Sequence, residues 1–461
     1  MKSRRLLDND LSDRNRNDYF DLDNFDESID SREYRRRTPD RRNAYNSYNG
    51  RPSYNRRGPK KSGIKTRTRN RIIIVAVGVI IVALLVTLFV LLFSQCGKPK
   101  DTSNISTEVI KSAYNNNDQT SQASAAENPG NNNAGGDKLS INTYNRAKPE
   151  DNNTDGYMDN YLYVWNSKAF ELFGGDDMTA ERYADIVNTL AGKLSGMNVY
   201  SMVIPNHTEM GLPDRLIAGG DDDSSGKAYT NSQADNIKAA YNKMDQTKVT
   251  PVNAYNYLSE HCNEYIYFDS DHHWTGLGSY YAYKAFVESQ GLEALSLDTC
   301  TEMTIGGFTG TLSQMTSGIK EDTVHYWQFP YTVTMDITDT NGDVTNYDDP
   351  YFDEEASGTL TYGTFIYGDN PLTVLHSSSE NAQQGKKIAV VKESYGNAFV
   401  PYLSYNYEEV HVVDLRTFRN VSSGDLAAYC RQNGITDVLF LNGIMSANTP
   451  ERLDEMTTLC D

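Results

Sequence analysis

The sequence predicts an α/β domain built on a mostly parallel β-sheet and preceded by one transmembrane helix. Three short, nearly continuous apolar runs near the C-terminus predict the sheet: KIAVV at 387–391, EVHVV at 409–413 and DVLFL at 437–441. Segments with helical spacing of apolar residues separate them, as expected for parallel strands covered by helices on both faces. Upstream, a run of 22 apolar, uncharged residues predicts the membrane span.

The first 71 residues form a basic segment with little aliphatic content. They contain 20 Lys and Arg against 11 Asp and Glu, which gives a net charge of +9. Such a segment cannot bury enough apolar surface to offset the entropy that is lost on ordering. We therefore expect residues 1–71 to be a disordered tail.

Residues 72–94 are predicted to be a single transmembrane helix that acts as a signal-anchor. At about 1.5 Å per residue, the apolar run IIIVAVGVIIVALLVTLFVLLF is long enough to cross a hydrocarbon core of about 30 Å. A cleaved signal peptide would be shorter and would lie close to the N-terminus. The cluster of Lys and Arg at 60–71 predicts a cytoplasmic tail and an extracytoplasmic C-terminal domain.

The chain beyond Arg71 is strongly acidic, with 23 basic and 51 acidic residues and a net charge of −28. Because an acidic surface repels the phosphate backbone, nucleic acid is excluded as a partner. Residues 95–154 are rich in Asn, Ser, Gly and Asp and lack apolar periodicity, which predicts a disordered stalk. The folded domain is expected to cover 155–461.

Five cysteines are present, and four of them lie in the predicted outer domain. They are Cys96, Cys262, Cys300, Cys430 and Cys460. An oxidising compartment permits pairs such as Cys262 with Cys300 and Cys430 with Cys460, with buried free thiols as the alternative. None has the spacing of a zinc site.

The spacing of apolar residues predicts the other elements of the folded domain. Helices are expected at 178–194, 233–244 and 278–289, the last of them amphipathic, and strands at 197–204 and 265–268. The segment from about 300 to 385 is rich in Thr, Tyr and Gly and alternates between polar and apolar residues. It is predicted to be an antiparallel, β-rich insertion.

Two polar segments follow predicted strands, where open parallel sheets carry their sites. They are DSDHHWT at 269–275 and KESYGN at 392–397. Together they offer a serine, a histidine that can take its proton and a carboxylate that can fix the histidine tautomer. Asp271 and His273 are two residues apart and so project to the same side of an extended segment. A serine after a strand is more often only a turn or cap residue, so this pattern alone is not specific.

The stretch YFDSDHHWTGLGSYYAYKAF resembles the signature of the DHHW protein family of bacterial envelopes. The outer domains of that family are similar to the SGNH hydrolase-like domains of the alginate O-acetylation proteins. The stretches GFTGTLSQMTSGIKEDTVHYW and VVKESYGNAFVPYLSYNYEEVHVVDLR carry the same resemblance, which covers most of residues 155–450. It implies an SGNH-like, three-layer α/β domain.

The resemblance also implies roles for individual residues. Asp271 takes the position of the acid, His273 that of the base and Ser394 that of the nucleophile. His272 occupies the variable position of the family pattern and is a candidate for contact with substrate. The family more often has Asp directly before the serine, where this chain has Glu393.

Further candidates lie close to these residues. The backbone amides of Ser394 and Gly396 and the side chain of Asn442 are candidate donors to an oxyanion, with a turn or cap role as the alternative for Asn442. Trp274 is a candidate sugar-stacking surface, with packing of the site wall as the alternative. His207 follows the predicted strand that ends at Pro205 and is one more residue that could reach the site.

The Asp-His-His sequence also occurs in phosphoesterases that bind Mn²⁺, which need several further Asp and His ligands at strand ends. The remaining histidines are scattered, so no metal or other cofactor is expected. The predicted function is that of an extracytoplasmic O-acyltransferase or esterase, acting on acetyl or similar esters of cell-envelope polysaccharide. The resemblance implies a multipass membrane O-acyltransferase as partner. The alternative is a non-catalytic glycan-binding or assembly module.

Overall fold

The computed structural model describes residues 138–218, 226–352, 358–422 and 425–460, except for the side chain of Cys460. The predicted tail, the apolar run at 72–94, Cys96 and most of the predicted stalk lie outside these residues. Among the residues that are described, no helix is long and apolar enough to cross a membrane.

The described residues contain both strands and helices, which alternate most regularly in the C-terminal part of the chain. The strands are β1 Tyr157–Asp159, β2 Leu162–Trp165, β3 Lys168–Glu171, β4 Asn198–Ile204, β5 Val249–Pro251, β6 Thr301–Phe308, β7 Asp322–Gln328, β8 Val333–Thr338, β9 Val344–Tyr347, β10 Leu372–Ser377, β11 Gln383–Lys392, β12 Tyr407–Asp414 and β13 Asp437–Gly443. The helices are α1 Asp177–Lys193, α2 His207–Gly211, α3 Gln233–Lys243, α4 Ala254–Glu260, α5 Gly276–Ser289, α6 Thr311–Met315, α7 Gly396–Leu403, α8 Leu426–Asn433 and α9 Pro450–Thr457. The three apolar runs lie in β11, β12 and β13, as predicted.

An eight-stranded mixed sheet forms the centre of the domain, with the strand order β5-β4-β13-β11-β12-β10-β8-β9. The strands from β5 to β12 in this order are parallel, and β10, β8 and β9 continue the sheet with antiparallel pairing. The predicted β-rich segment therefore mostly extends the main sheet. Its β6 and β7 form a separate antiparallel pair.

Helices cover both faces of this sheet. Ser201 of β4 contacts the hydroxyl of Tyr183 in α1, whereas the neighbouring Tyr200 packs edge-on against Phe286 of α5. Because adjacent residues on a strand project to opposite faces, α1 and α5 lie on opposite sides of the sheet. This arrangement is the predicted three-layer α/β architecture.

Two predicted elements differ from the structure. Residues 265–268 form no strand, since Tyr267 makes only an isolated bridge with Trp274. Helix α5 is mostly buried rather than amphipathic, because α4 and α7 pack against it and Gly276, at its start, closely approaches the backbone of His325. The apolar spacing identified the helix but not its surroundings.

The fold also begins earlier than the predicted boundary at 155. Residues 138–149 pack against α4, where the Asn145 amide donates to the side chain of Asn256 at 2.8 Å and Ala147 is buried. The sequence did not reveal this attachment because polar hydrogen bonds make much of it. The three-stranded antiparallel sheet β1-β2-β3, which follows, was not predicted.

The cysteine prediction is also resolved in part. Cys262, Cys300 and Cys430 are free thiols, so the suggested pairing of Cys262 with Cys300 is wrong. Cys262 follows α4 and lines a cavity near His207, whereas Cys300 lies directly before β6. The second suggested pair includes Cys460, whose side chain is outside the described residues.

Four charged side chains join the carboxyl ends of β11 and β12 beneath the turn that carries Ser394. The fully buried Lys392 ammonium lies 2.8 Å from Asp369 and 3.3 Å from Asp414. Arg416 lies 2.7 Å from each of the same two carboxylates. Burial alone would raise the pKa values of both aspartates, but the charges of Lys392 and Arg416 hold them below the ordinary value. The two positive and two negative charges cancel, which offsets the free-energy cost of removing them from water.

The substitution Lys392→Met should lower the free energy of unfolding by about 3 kcal/mol, because it leaves the buried Asp414 with one cation fewer. Since the folded-state pKa values of Asp369 and Asp414 are lowered, the parent should be fully stabilised by them above about pH 4 and lose this stability as the pH falls. The unfolding free energy of the variant should fall less steeply than that of the parent as the pH is lowered. Urea unfolding between pH 3 and 7 measures both effects, with the exposed Lys248→Met as control. Equal stability of K392M and the parent would contradict this account.

Candidate active site

The DSDHHWT segment forms an irregular loop directly before α5, and a carboxylate from β7 fixes its shape. Asp322 accepts hydrogen bonds from the backbone amides of Asp269 and Ser270 at 3.0 and 2.8 Å. It also accepts from the Ser270 hydroxyl at 2.5 Å, and burial raises its pKa. The loop therefore has a fixed backbone although it belongs to no regular element.

Three of the predicted residues form one buried chain of hydrogen bonds. The Nδ1 atom of His273 lies 2.5 Å from Oδ1 of Asp271, and its Nε2 atom lies 2.7 Å from Oγ of Ser394. The exposed fractions of the three residues are 2% or less. The structure thus brings together side chains that are separated by 121 positions in the chain.

Asp271 is held by both of its carboxylate oxygens. Oδ1 accepts from the backbone and the ring of His273, and Oδ2 accepts from the amide of Thr311 at 2.9 Å and from its hydroxyl at 3.1 Å. Burial alone would raise the pKa of Asp271, but the neighbouring histidines and these hydrogen bonds hold it well below its ordinary value. An ionised carboxylate only accepts, so Nδ1 of His273 donates to it, which leaves Nε2 of a neutral ring, 2.7 Å from Oγ of Ser394, as an acceptor.

Ser394 lies in the turn between β11 and α7, and Glu393 anchors that turn. The Glu393 carboxylate accepts from the backbone amides of Tyr395 at 2.9 Å and Gly443 at 2.7 Å. The amide of Gly396 donates to the Glu393 carbonyl at 2.9 Å. Gly396 was predicted to donate to an oxyanion, but in this conformation its amide is occupied by the turn.

Two reciprocal hydrogen bonds join the histidine loop to the serine turn. The indole Nε1 of Trp274 donates to the carbonyl of Tyr395 at 2.9 Å, and the Tyr395 hydroxyl donates to the carbonyl of His272 at 2.5 Å. Trp274 is fully buried and packs on Phe399. It therefore belongs to the wall of the site, and its prediction as a sugar-stacking surface is wrong.

The other predicted residues lie at the edge of this network. His272 packs on the ring of His273 with a 3.8 Å centroid separation, and its Nδ1 lies 2.8 Å from the hydroxyl of Thr311. Asn442 is buried on the side of α1, where its carbonyl oxygen accepts from Tyr183 at 3.2 Å while its amide nitrogen has no hydrogen-bond partner. His207 lines a separate cavity of about 170 Å³, which none of Asp271, His273 and Ser394 lines.

Tyr362 is a functional candidate that the sequence did not indicate. Its ring stacks on His273 with centroids 3.9 Å apart and planes 10° from parallel, and its hydroxyl donates to the Ser394 carbonyl at 3.1 Å. Burial raises its pKa well above the ordinary value, so it stays neutral. Tyr362 lies in a β-rich segment with many tyrosines, and no local pattern distinguishes it from the others. Thr311, by contrast, lies in the GFTGTLSQMTSGIKEDTVHYW stretch that carried the family resemblance.

Asp271, His272 and His273 also form a group whose ligand atoms lie within 4.8 Å of one another, close enough to hold a metal ion. Both oxygens of Asp271 and both ring nitrogens of His273 are already hydrogen-bonded. A metal ion bound through Asp271 and His273 would have to displace one or more of these hydrogen bonds. The donor set therefore fits a proton-transfer chain better than a metal centre.

The sequence model of the DHHW family, described as "DHHW protein", matches residues 103–413, about two thirds of the chain. The chain belongs to the DHHW family. A crystal structure of a DHHW family protein from Eubacterium siraeum is 32% identical, with a TM-score of 0.56 over 67% of this chain and 99% of that one. This chain therefore shares the fold of that family member over almost the whole length of the solved structure.

Two more distant structures are similar. Bacillus cereus PatB1 with a sulfonyl adduct is 18% identical, with a TM-score of 0.51 over 65% of this chain and 97% of that one. The O-acetyltransferase domain of Pseudomonas putida AlgJ is 10% identical, with a TM-score of 0.36 over 66% and 98% of the two chains. The chain has no detectable match among curated proteins. The similarity to PatB1 shows that the two chains share the α/β fold.

The substitution Gly310→Ala should disrupt the site, because a Cβ at Gly310 would lie 2.2 Å from Cβ of Asp271 and 2.6 Å from its Oδ2. We expect a loss of about 2 kcal/mol in unfolding free energy, as for overpacked cores. The downfield proton resonance of the short hydrogen bond between His273 and Asp271 should also be lost or shifted. Gly306→Ala is the matched control, since nothing lies within 4 Å of its added Cβ. An unchanged resonance in G310A would show that Asp271 tolerates the crowding.

Proposed function

We propose that this DHHW protein is a membrane-tethered, extracytoplasmic, SGNH hydrolase-like enzyme that transfers or hydrolyses acyl groups, chiefly acetyl, of cell-envelope polysaccharide. The observation that carries the proposal is the continuous hydrogen-bond chain from Asp271 through His273 to Ser394, with 2.5 and 2.7 Å contacts. This arrangement activates a serine hydroxyl.

The proposed reaction has two halves. Oγ of Ser394 attacks the carbonyl carbon of an acyl ester while its proton passes to Nε2 of His273, and Asp271 stabilises the imidazolium. The ester bond to the leaving alcohol then breaks, and that alcohol takes the proton from His273, which leaves an acyl-serine. In the second half a sugar hydroxyl or water attacks the acyl-serine, gives its proton to His273 and releases Ser394.

The developing negative charge needs hydrogen-bond donors. Of the predicted donors, the amide of Gly396 is occupied, whereas the side-chain nitrogen of Asn442 is buried without a partner at the end of β13. β11 and β13 pair in parallel register up to Lys392 and Leu441, so Asn442 follows the pair that directly precedes the serine turn. Asn442 is therefore the donor that we assign, and the oxyanion would displace no existing hydrogen bond of its nitrogen.

Substrate must gain access to a serine that is fully buried in this conformation. Tyr362 covers one face of His273 and bonds to the backbone of Ser394, and it lies in the short helical segment Gly358–Thr364. Acylation therefore requires that residues over Ser394 move apart. The same burial favours the second candidate function, a module that binds glycan without turnover.

The proposed location and partner are supported by features of the sequence. The apolar run at 72–94 with its basic N-terminal flank would tether the domain to the outer face of a membrane. An acyl donor must reach that side, and the family resemblance points to a multipass membrane O-acyltransferase as its source. The acidic composition agrees with a partner other than nucleic acid.

Ser394→Ala should abolish both covalent labelling by a sulfonyl fluoride and turnover of a simple acetyl ester, because the labelled atom is removed. The fold should persist, as a turn serine contributes little to packing. Mass spectrometry of the labelled protein locates the adduct. Ser446→Ala is the matched control, since Ser446 is buried but its hydroxyl has no partner. If the parent is neither labelled nor active, the glycan-binding alternative takes precedence.

Asp271→Asn should lower kcat by as much as about 10⁴-fold, since the amide cannot stabilise the imidazolium or hold the same tautomer. Asp269→Asn, at a buried carboxylate that pairs with Lys168 and Lys320 instead of a catalytic group, should keep most activity. Excess EDTA should leave the parent fully active. Activity that EDTA removes and Mn²⁺ restores would instead establish a metal-dependent phosphoesterase.

A further inference from the structure

The turn between β1 and β2 presents an exposed tyrosine in an uncommon backbone conformation. Asp159 pairs with Leu162, so the loop contains only Asn160 and Tyr161. Both have positive φ, 46° and 68°, which is the requirement of a type I′ hairpin turn. Glycine is the favoured second residue of such a turn, and a side chain as bulky as tyrosine is strained there.

A gain in the stability of the fold does not explain why a tyrosine occupies position 161. Its exposed fraction is 68%, so it gains little from burial, while its backbone carries the strain of the left-handed region. The next turn of the same sheet, Asn166–Ser167, has the same length and positive φ values of 53° and 59°, but it carries a small serine. The fold therefore forms this turn without an aromatic side chain.

Further apolar side chains are exposed on the same hairpin. Tyr157 and Met158 of β1 have exposed fractions of 52% and 47%. With Tyr161 they are three of the six large hydrophobic side chains that are most exposed in the described part of the chain, the others being Met178, Tyr229 and Val344. A concentration of exposed aromatic surface on one short hairpin indicates a binding surface.

One short helix links this hairpin to the candidate active site. At the start of α6, Thr311 hydrogen-bonds to Asp271, and at its end the carbonyl of Met315 accepts from the Asn160 side chain at 2.8 Å. The hydroxyl of Thr316 bonds to Asp159. Four helical steps of about 1.5 Å separate Thr311 from Met315, so the turn lies on the order of 10 Å from Asp271.

We propose that Tyr161, together with Tyr157, is a stacking subsite for a pyranose ring of the glycan whose neighbouring units reach Ser394. The inference rests on the proposed function and adds the substrate class, a neutral glycan. The apolar C–H face of a β-linked pyranose packs against an aromatic ring, which offers a large rigid surface at low entropic cost. A polyanionic glycan is disfavoured, because Asp159 lies at the end of β1 beside the turn and the chain beyond Arg71 has a net charge of −28.

The test measures binding of the neutral β-1,4-linked hexasaccharide of N-acetylglucosamine by calorimetry, together with the melting temperature. Tyr161→Gly should raise the melting temperature by about 1–2 °C, because it creates the favoured Asn-Gly turn, and weaken binding about three- to ten-fold. Ser167→Gly is the matched control and should raise the melting temperature without a change in binding. Tyr161→Phe should bind as the parent does.

Three results would overturn the subsite: no binding of the hexasaccharide by the parent, equal binding by Y161G and the parent, or preferential binding of an anionic uronate hexasaccharide. A lower melting temperature of Y161G would show that the ring is structural and also reject the proposal. Binding by Ser394→Ala separates this inference from the proposed function. If S394A binds the hexasaccharide but retains ester turnover, the serine mechanism fails while the subsite stands.

Discussion

An ionised carboxylate that is almost fully removed from water must be compensated by its immediate neighbours, and Asp271 is such a group. Its oxygens accept from His273 on one side and from Thr311 on the other, and its pKa lies well below the ordinary value. Thr311 can approach only because Gly310 has no side chain. The position of α6 relative to the histidine loop follows from this requirement. A network that satisfies its charge completely also fixes the ring of His273 in one orientation.

The second requirement is that this loop and the serine turn, which are far apart in the chain, keep a fixed spacing. Trp274 and Tyr395 exchange hydrogen bonds between the two segments, and Tyr362 covers the histidine while it bonds to the serine backbone. The buried charges around Lys392 hold the ends of β11 and β12 together directly below. These contacts hold the three side chains in the geometry on which the proposed serine mechanism depends.

The periphery of the site differs in character from its centre. The central residues are buried and rigidly bonded, whereas the β1-β2 hairpin presents aromatic rings to solvent. α6 contacts both regions, so the same five-residue helix that orients Asp271 also sets the position of the exposed turn. The proposed polymeric substrate would suit this division, because its chain could bind along the outside while one unit reached Ser394 once the residues over it moved apart.

The sequence by itself indicated the apolar strands at 387–391, 409–413 and 437–441 through local periodicity, and the family through short motifs. The family resemblance then pointed to Asp271, His273 and Ser394, which the structure brings together. The tertiary structure decided which neighbours serve them. In the structure Trp274 packs in the wall of the site and the amide of Gly396 donates to the Glu393 carbonyl. The ring of Tyr362, from the segment before β10, stacks on His273. The early start of the fold near 138 and the free state of Cys262 and Cys300 were decided in the same way. Each of these outcomes depends on contacts between residues distant in the chain, whose partners cannot be read from the spacing of residues along one segment.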